Sequence, residues 1–386
     1  MNKRIKQVLY FAGLMILSIT MVLGGCTKEQ EEETETETPV TEQPEEIVET
    51  PEVEEEPEVI VEETPTTRTV TDSTGAEITI PYKVERVAPQ IGAMAHMTAV
   101  LGCADRLVCT AFGDTNAYFN QVFPAYQEAN SRGLTTGNVE DIIGSGAQVA
   151  YGPIRDQSII DQLNAAGIAV VKLDSFSTVE QMKGNIREIA KILGGDAPAI
   201  AEAFCEYYQG NIDYVSEKTA DVAEGEKIRA LMLNYRAGAL STINAEDICS
   251  VYMTEAGGIN VAAESGATGT TPGTSISSED VIRWNPDIIF THNKSGKDQI
   301  LAEPTFQTIP AVQNGKVYIV PTGTYLWSVR SAEGSLMPLW LAKMMYPDIF
   351  TDLDLEQEVR DFYKTFHGGY EIPDDEIAMV LAGSQS

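Results

Sequence analysis

Histidine, cysteine and basic side chains are all scarce in this chain of 386 residues. It contains three histidines and five cysteines, and its 26 Lys and Arg face 58 Asp and Glu, for a formal net charge of -32. Three histidines are too few for a histidine-rich metal cage, and five cysteines exclude a fold built on a disulfide framework. Because binding to phosphate backbones relies on many Lys and Arg side chains, the acidic balance also argues against a nucleic-acid partner.

The N-terminus combines a basic start, a short apolar run and a cysteine. The apolar run covers residues 8–23 and leads into Leu23-Gly24-Gly25-Cys26. A basic start and a run of this kind are typical of a signal peptide, here residues 1–25. The run is short for a membrane span, which needs about 20 apolar residues, so a plain N-terminal anchor is the weaker alternative. Leu-Gly-Gly-Cys resembles the bacterial lipobox, which predicts that Cys26 is lipidated and becomes the new N-terminus.

Residues 26–65 account for half of the net negative charge of the chain and contain few apolar side chains. From Thr27 to Pro65 there are 17 Glu and one Lys. Such a segment cannot bury enough apolar surface to offset chain entropy, which predicts a disordered linker. We interpret it as a tether that holds a folded domain away from a membrane; a passive solubilising tail is the alternative. Without the signal peptide and this linker, residues 66–386 keep a net charge of -19.

Short β-branched runs alternate with helical patterns through the rest of the chain, which predicts an α/β fold with parallel strands. The predicted strands include Leu107–Thr110, Val149–Tyr151, Ala169–Leu173 and Ile288–Thr291. A long helical pattern without a turn signal separates the two halves of this alternation. We therefore expect two Rossmann-like α/β lobes joined by a single long linking helix. The predicted boundaries are 66–196 for the N-terminal lobe, 197–224 for the linking helix and 225–386 for the C-terminal lobe.

A weak internal repeat relates the two predicted lobes. Asn138 and Ser278, polar residues of the kind that caps helices, come shortly before Glu140 and Glu279. Each glutamate is followed by an Asp and two apolar residues. A buried strand is predicted nine residues after each glutamate, at Val149 and at Ile288. By themselves the two glutamates are acids at helix N-termini, where they favour the helix dipole by about 0.3–1 kcal/mol each.

Four segments of the chain match a known family: Val70–Pro81 with Arg86-Val87, Leu101–Val108, Ser277–Ile289 and Pro310–Tyr318. They resemble the substrate-binding proteins of ABC importers, in the group that binds iron-siderophores, cobalamin and haem. The resemblance implies capture of a solute in an interlobe cleft and delivery to a permease with its ATPase subunits. It also implies that Glu140 and Glu279 dock into arginine pockets of that permease.

The candidate ligand-binding residues follow predicted strands, because ligands of open α/β sheets bind at the carboxyl ends of strands. Arginine forks suit carboxylates and oxyanions, and aromatic rings offer a flat apolar wall to a planar ligand. The alternatives are surface ion pairs for the arginines, core packing for the aromatic rings and a hydrogen-bonded loop residue rather than a metal ligand for the histidine. The candidates are Gln90, Asn116, Tyr151, Arg155, Tyr235, Arg236, His292, Tyr325, Trp327 and Arg330.

Two departures from that group affect the predicted ligand. His96 stands where family members commonly have a glutamate, and the segment Trp327–Glu333 is not the commonest ending. An iron-siderophore or a similar metal chelate remains the first prediction, and a corrinoid or haem is the second. An oxyanion such as molybdate or tungstate is the alternative from different chemistry, since arginine and aromatic residues serve all three.

No arrangement of an enzyme is evident. The glycine-rich stretch Gly266–Gly273 lacks the lysine of a phosphate loop, and neither a nucleophile elbow nor a zinc-protease motif occurs. Cys103 and Cys109 are predicted to be buried thiols unless their geometry permits a disulfide. We therefore predict a non-enzymatic binding protein without a cofactor, outside the cytoplasm and lipid-anchored to the bacterial cell membrane. A surface-anchored hydrolase or an adhesion module is the alternative class.

Overall fold

The computed structural model describes residues 65–111, 117–236, 238–267 and 273–384. The predicted signal peptide, Cys26, Asn116 and all of the acidic linker except Pro65 lie outside these residues. In the described part of the chain, no helix combines the length and the apolar character that crossing a bilayer requires. The four cysteines described, which include Cys103 and Cys109, are buried and free.

The N-terminal lobe is built on three parallel strands in the order β3-β4-β5. A two-stranded antiparallel hairpin of β1 and β2 precedes them. All four residues of β4 are buried, as expected for a central strand covered on both faces. The strands are β1 Thr67–Thr71, β2 Glu77–Pro81, β3 Val87–Pro89, β4 Val149–Gly152 and β5 Ala169–Lys172; the helices are α1 Gly92–Thr98, α2 Ala117–Val122, α3 Pro124–Ser131, α4 Val139–Ser145, α5 Gln157–Ala165 and α6 Val179–Leu193.

The expected strand at residues 107–110 is reduced to two isolated parallel bridges. Leu107 pairs with Val87, whereas Thr110 pairs with Thr135. The segment changes partner within four residues, so it does not stay beside one neighbour long enough to form a ladder.

The linking helix is α7, Ala197–Thr219, and it has 23 residues. Pro198 lies in its first turn, where a missing N–H costs nothing. The helix ends before the predicted limit at 224, and a short 3-10 turn at Glu224–Glu226 follows. The boundaries of the lobes stay predictions.

The C-terminal lobe has a mixed sheet in the order β11-β10-β6-β7-β9, with β8 also paired to β6. Strands β8, β6, β10 and β11 are parallel, and β7 and β9 extend the sheet in antiparallel fashion. The α/β fold with two lobes and a single linking helix is thereby confirmed. The strands are β6 Arg229–Arg236, β7 Ala239–Thr242, β8 Ile259–Asn260, β9 Thr274–Ile276, β10 Ile288–Thr291 and β11 Val317–Ile319; the helices are α8 Ile248–Glu255, α9 Val261–Glu264, α10 Ser278–Trp284, α11 Lys294–Ala302, α12 Pro310–Gln313, α13 Met337–Met345, α14 Leu355–Phe366 and α15 Asp374–Leu381.

One hydrophobic cluster crosses from the N-terminal sheet through the linking helix to the C-terminal helices. Phe204 of α7 packs edge-on against Phe366 of α14, with ring centroids 5.5 Å apart. The same seam has a polar contact, because Tyr118 of α2 donates a hydrogen bond of 3.0 Å to Glu376 of α15. The C-terminal helices therefore brace both lobes instead of belonging to one of them.

We expect Phe366→Ala to lower the free energy of unfolding by about 3–5 kcal/mol, because it leaves a cavity where four aromatic rings meet. Phe366 is 2% exposed and also packs on Tyr207 and Phe362. Urea unfolding followed by circular dichroism measures the loss. Met379→Ala is the control, because Met379 is 42% exposed and its truncation is expected to cost less than about 0.5 kcal/mol. Equal losses in the two variants would contradict the bracing role of α14.

Candidate functional site

The carboxyl ends of β6 and β10 open into a cavity of about 370 Å³ at the junction of the lobes. Open α/β sheets bind ligands at this end of their strands. Ser177 comes from the N-terminal lobe, just before α6, and the other lining residues come from the C-terminal lobe. These are Met232, Asn234, Ile243, Asn244, Glu246, Asp247, Ile248, Cys249, Gly273, Thr274, His292, Ser328, Val329 and Arg330.

A histidine and an arginine face this cavity. His292 follows β10, and its Nε2 lies 2.9 Å from the Ser328 hydroxyl. Burial lowers the pKa of His292, which favours the neutral imidazole. Arg330 reaches across the seam, where its Nη1 donates to the carbonyl of Phe176 at 3.4 Å. The cavity thus offers one permanent positive charge and one neutral ring nitrogen.

Two carboxylates line the same cavity. Asp247 caps the N-terminus of α8 by accepting a hydrogen bond of 2.9 Å from the backbone N–H of Cys249. Burial raises the pKa of Asp247, although that hydrogen bond and the nearby Arg330 oppose the shift. Glu246 precedes it and is exposed. With both acids ionised, the charged residues that line the cavity in the described part of the chain sum to -1.

The cavity brings together only two of the predicted ligand-binding residues, His292 and Arg330. Gln90 lies beyond β3 in the other lobe, and its buried Nε2 has no hydrogen-bond partner among the described residues. Arg155 and Arg236 are exposed after β4 and at the end of β6. The described cavity lining thus includes Arg330 but neither Arg155 nor Arg236. Asn116 lies outside the described residues.

The predicted aromatic residues lie apart from the cavity lining. Tyr151 is 0% exposed and shares a short hydrogen bond with the Thr98 hydroxyl, within the N-terminal core. Tyr235 donates to Glu303 at 3.1 Å. Tyr325 stacks on His96 with ring centroids 5.6 Å apart. These rings pack against protein groups, in agreement with the alternative reading of aromatic residues as packing elements.

Trp327, the remaining aromatic candidate, belongs to a buried cluster around the carboxylate of Glu333. Its indole Nε1 donates to Glu333 Oε2 at 3.0 Å. Glu333 Oε1 accepts from the backbone N–H of Thr324 at 2.9 Å, from the Thr324 hydroxyl at 2.6 Å and from the Tyr363 hydroxyl at 2.9 Å. His367 Nε2 lies 3.0 Å from the same oxygen. These donors stabilise the ionised form against the cost of burial, so the pKa of Glu333 is lowered to about 2.

His96, Glu333 and His367 have nitrogen and oxygen atoms that lie within 4.8 Å of one another, a spacing compatible with a metal ion. The hydrogen bonds argue against that use. The Thr324 hydroxyl lies 3.0 Å from Nε2 of each histidine and therefore occupies the space between them. The backbone N–H of Ala332 points at His96 Nδ1 at 3.3 Å, so Nδ1 is the acceptor and Nε2 carries the proton. A nitrogen that carries a proton cannot bind a metal, and we describe the group as a hydrogen-bonded network.

Glu140 and Glu279 occupy equivalent places in the two lobes. Each is exposed and is the second residue of a seven-residue helix, α4 or α10. The side chain of Asn138 caps α4, and Ser277 forms a capping box in α10. In each lobe the next strand begins nine residues after the glutamate. The internal repeat seen in the sequence is thus a repeat of structure.

Comparison with known proteins finds a similar family for part of the chain. The sequence model of the family described as periplasmic binding protein matches residues 142–323, which are 182 of the 386 residues. A periplasmic solute binding protein from Veillonella parvula has the same fold, with a TM-score of 0.71 and 26% identity over 82% of this chain and 97% of that one. The chain is thus similar to the periplasmic binding protein family over that segment.

Two curated relatives have lower coverage or lower identity. The molybdate-binding protein MolA of Haemophilus influenzae is 30% identical over 189 residues, which are 46% of this chain and 52% of MolA. The chain thus matches about half the length of that relative. An uncharacterized ABC transporter substrate-binding lipoprotein of Bacillus subtilis, YvrC, is 22% identical over 74% of this chain and 87% of its own length.

Sequence reasoning omitted the acids and small polar groups of the cavity. Asp247 had a signal, because an acid just before the helical pattern at Ile248 is a typical helix cap. Nothing local pointed to Glu333, whose partners lie up to 34 residues away in the chain. His96 was noticed as a departure from the pattern of the group that the chain resembles. In the structure it is hydrogen-bonded to Thr324 and so belongs to the network around Glu333.

We expect acid to destabilise the protein through His96. Burial lowers its pKa from 6.5 to about 3, so below pH 6.5 the unfolded chain binds a proton that the folded chain does not. Stability attributable to this group is present above pH 6.5 and is lost as the pH falls toward 3. Between pH 6.5 and pH 5 the wild type should lose about 2 kcal/mol more than His96→Gln.

Urea titrations at several pH values measure this difference. The chosen window lies above pH 4.5, where Glu333 and other carboxyl groups of the unfolded chain begin to bind protons. His292, which titrates in both proteins, contributes equally to both and cancels. Parallel pH profiles for the two proteins would show that His96 is not held neutral by burial.

Proposed function

We propose that this chain is the extracytoplasmic solute-binding component of an ABC importer and that its cleft takes a small metal chelate. The observation that carries the proposal is the cavity at the ends of β6 and β10, where Arg330, His292 and Asp247 meet. A chelate presents both ligand oxygens for an arginine and a metal centre for a neutral imidazole. An iron-siderophore of modest size is the first member of this class.

The size of the cavity supports a small solute. Its volume of about 370 Å³ lies at the lower end of the range of about 300–1,000 Å³ that is usual for ligand pockets. A corrinoid or haem fits such a space less well than a compact chelate. Among the described residues, its lining also lacks the wall of aromatic rings that the sequence suggested for a planar ligand, since Tyr151, Tyr325 and Trp327 pack elsewhere.

An oxyanion such as molybdate is the second candidate. The 30% identity to a molybdate-binding protein favours it, and Arg330 with the hydroxyl groups of Ser328 and Thr274 offers suitable donors. The hydroxyl of Thr274 is buried and has no hydrogen-bond partner among the described residues. Against this candidate stand Asp247 and Glu246, because two carboxylates in a cavity with one arginine repel a dianion.

We expect the wild-type protein to bind a ferric catecholate or hydroxamate chelate more tightly than molybdate, cobalamin or haemin, as measured by calorimetric titration at pH 7.5. Asp247→Asn should strengthen molybdate binding by about tenfold, because it removes a like charge from the site. Asparagine caps helices as well as aspartate does, so α8 keeps its N-terminal hydrogen bond.

Glu246→Gln is the matched control, because it removes the same charge from a more exposed position and should change molybdate binding less. Tighter binding of molybdate than of every chelate in the wild type would replace the first candidate by the second. Binding of none of these solutes together with hydrolase activity would replace transport by the hydrolase class. Binding of none without hydrolysis would favour an adhesion module.

The proposal includes a membrane tether and a permease partner. Lipidation of Cys26 would place the folded lobes at the outer face of the cell membrane, with residues 26–65 as the spacer. The description of the Bacillus subtilis relative as a lipoprotein supports this arrangement. The matching positions of Glu140 and Glu279 on α4 and α10 support docking of one lobe to each half of a permease.

We expect the double variant Glu140→Ala/Glu279→Ala to abolish solute uptake while the solute affinity stays within twofold of wild type. Both side chains are exposed, so their truncation leaves the core and the cleft intact. Uptake of radiolabelled iron chelate by cells that depend on this protein is the measurement. Glu356→Ala is the matched control, since Glu356 is also exposed and is also the second residue of its helix, α14. Wild-type uptake by the double variant would rule out docking through this pair.

A further inference from the structure

The carboxylate of Glu333 is the centre of a buried network that joins both lobes and the cleft. We call His96, Thr324, Trp327, Glu333 and His367 the Glu333 hub. Tyr363 also donates to Glu333, but it lies outside the hub because it takes no part in the connection between α1 and the cleft. Glu333 and its partners Thr324, Trp327 and His367 are all 0% exposed. A buried carboxylate is stable only when its oxygens accept several well-placed hydrogen bonds, and this one accepts five.

The protons of the hub run in one direction toward Glu333. His96 accepts from the backbone N–H of Ala332 through Nδ1, so its Nε2 donates to the Thr324 hydroxyl. That hydroxyl has a single proton and gives it to Glu333 Oε1. The Nδ1 of His367 has no partner among the described residues, which leaves its Nε2 as the nitrogen that donates to Glu333. The hub therefore has one consistent arrangement of donors and acceptors.

The hub connects three parts of the fold that are distant in sequence. His96 lies on α1 of the N-terminal lobe, and His367 lies at the end of α14. Thr324 and Trp327 belong to the segment 322–330, which we call the cleft loop. The cleft loop also contains Ser328, which lines the cavity.

The backbone at Gly323 and Gly334 packs closely against buried polar groups around the cleft loop. A Cβ added at Gly323 would overlap both the Tyr363 hydroxyl and the Glu333 carboxylate. A Cβ at Gly334 would lie 2.7 Å from the Tyr252 hydroxyl and 3.2 Å from the carbonyl of Trp327. The backbone at Gly323 and Gly334 is thus packed against buried polar groups. This backbone also determines where the side chains of Ser328 and Arg330 are placed.

We propose that the Glu333 hub is a positioning element of the cleft, which fixes the cleft loop against α1 of the other lobe and thereby sets solute affinity without touching the solute. His96 is the hub's one member from the N-terminal lobe. A rotation that moved α1 away from the C-terminal lobe would separate His96 from Thr324 and leave a buried N–H without an acceptor. The hub therefore restricts the lobes to small relative movements. The part of this inference that concerns affinity rests on the proposed function.

Hydrogen–deuterium exchange of the wild type, His96→Phe, Thr324→Val and Tyr363→Phe tests the hub without any solute. His96→Phe and Thr324→Val break the connection between α1 and the cleft loop, and each is expected to speed amide exchange in residues 322–330 at least tenfold. Tyr363→Phe is the matched control, because it removes one donor from Glu333 and leaves that connection in place. It should lower the melting temperature without speeding exchange in the loop more than twofold.

A titration with a ferric catecholate chelate tests the effect on affinity. His96→Phe and Thr324→Val are expected to weaken binding at least tenfold, whereas Tyr363→Phe stays within threefold of wild type. His96→Gln, which keeps a donor toward Thr324, should recover most of the lost affinity. A merely structural role would lower the melting temperatures of all variants and leave the affinities of the folded molecules alike.

The two measurements separate the possible failures. If the wild type binds no chelate, the proposed function is at fault, and the exchange rates still decide the role of the hub. If exchange in residues 322–330 is the same in His96→Phe and Tyr363→Phe, the hub does not hold the cleft loop and the inference is wrong.

Discussion

A buried carboxylate surrounded by hydrogen-bond donors is the constraint on which the lobe junction depends. Glu333 has little access to water, and its charge is tolerated because backbone, hydroxyl, indole and imidazole groups all donate to it. These donors come from the cleft loop and the end of α14, and His96 of α1 joins the network through the Thr324 hydroxyl. The complete network is therefore assembled only when both lobes are in place. The junction is thus specified by polar groups within an otherwise apolar seam.

The apolar seam explains why the lobes do not act as independent bodies. A single cluster of buried side chains runs from the N-terminal sheet along α7 to the C-terminal helices. The contact of Phe204 with Phe366 and that of Tyr118 with Glu376 tie α14 and α15 to different parts of the molecule. A cleft built on such a support changes by small adjustments of its loops more easily than by wide opening. In the proposed function, solute selection depends on the side chains that line the cavity, above all Arg330, His292 and Asp247.

The strands and most helices could be predicted from the sequence because their signals are local. Apolar β-branched runs gave β4, β5 and β10, and the uninterrupted pattern after Pro198 gave the linking helix. The prediction of a strand at 107–110 was wrong, because the two ends of this segment pair with different partners, Val87 and Thr135. Helices α2 and α15 were not predicted, and they supply Tyr118 and Glu376 to the seam. Of the residues that line the cavity, the sequence pointed to His292, which directly follows β10, and to Arg330, in the loop after β11. Asp247 was not proposed, because its position before a helix indicated a cap.

The sequence by itself determined the acidic linker, the cysteine that resembles a lipidation site, the α/β alternation and the paired glutamates at two helix starts. Each of these depends on composition or on spacing within about 15 residues. The tertiary structure alone decided which aromatic residues face protein and which polar groups face the cavity. Trp327 and Arg330 are three residues apart, yet one is buried against Glu333 and the other lines the cleft. Trp327 donates to Glu333, six residues along the chain, whereas Arg330 reaches the carbonyl of Phe176, 154 residues away. The sequence does not show this difference, because a loop has no periodicity from which its inward and outward faces can be read.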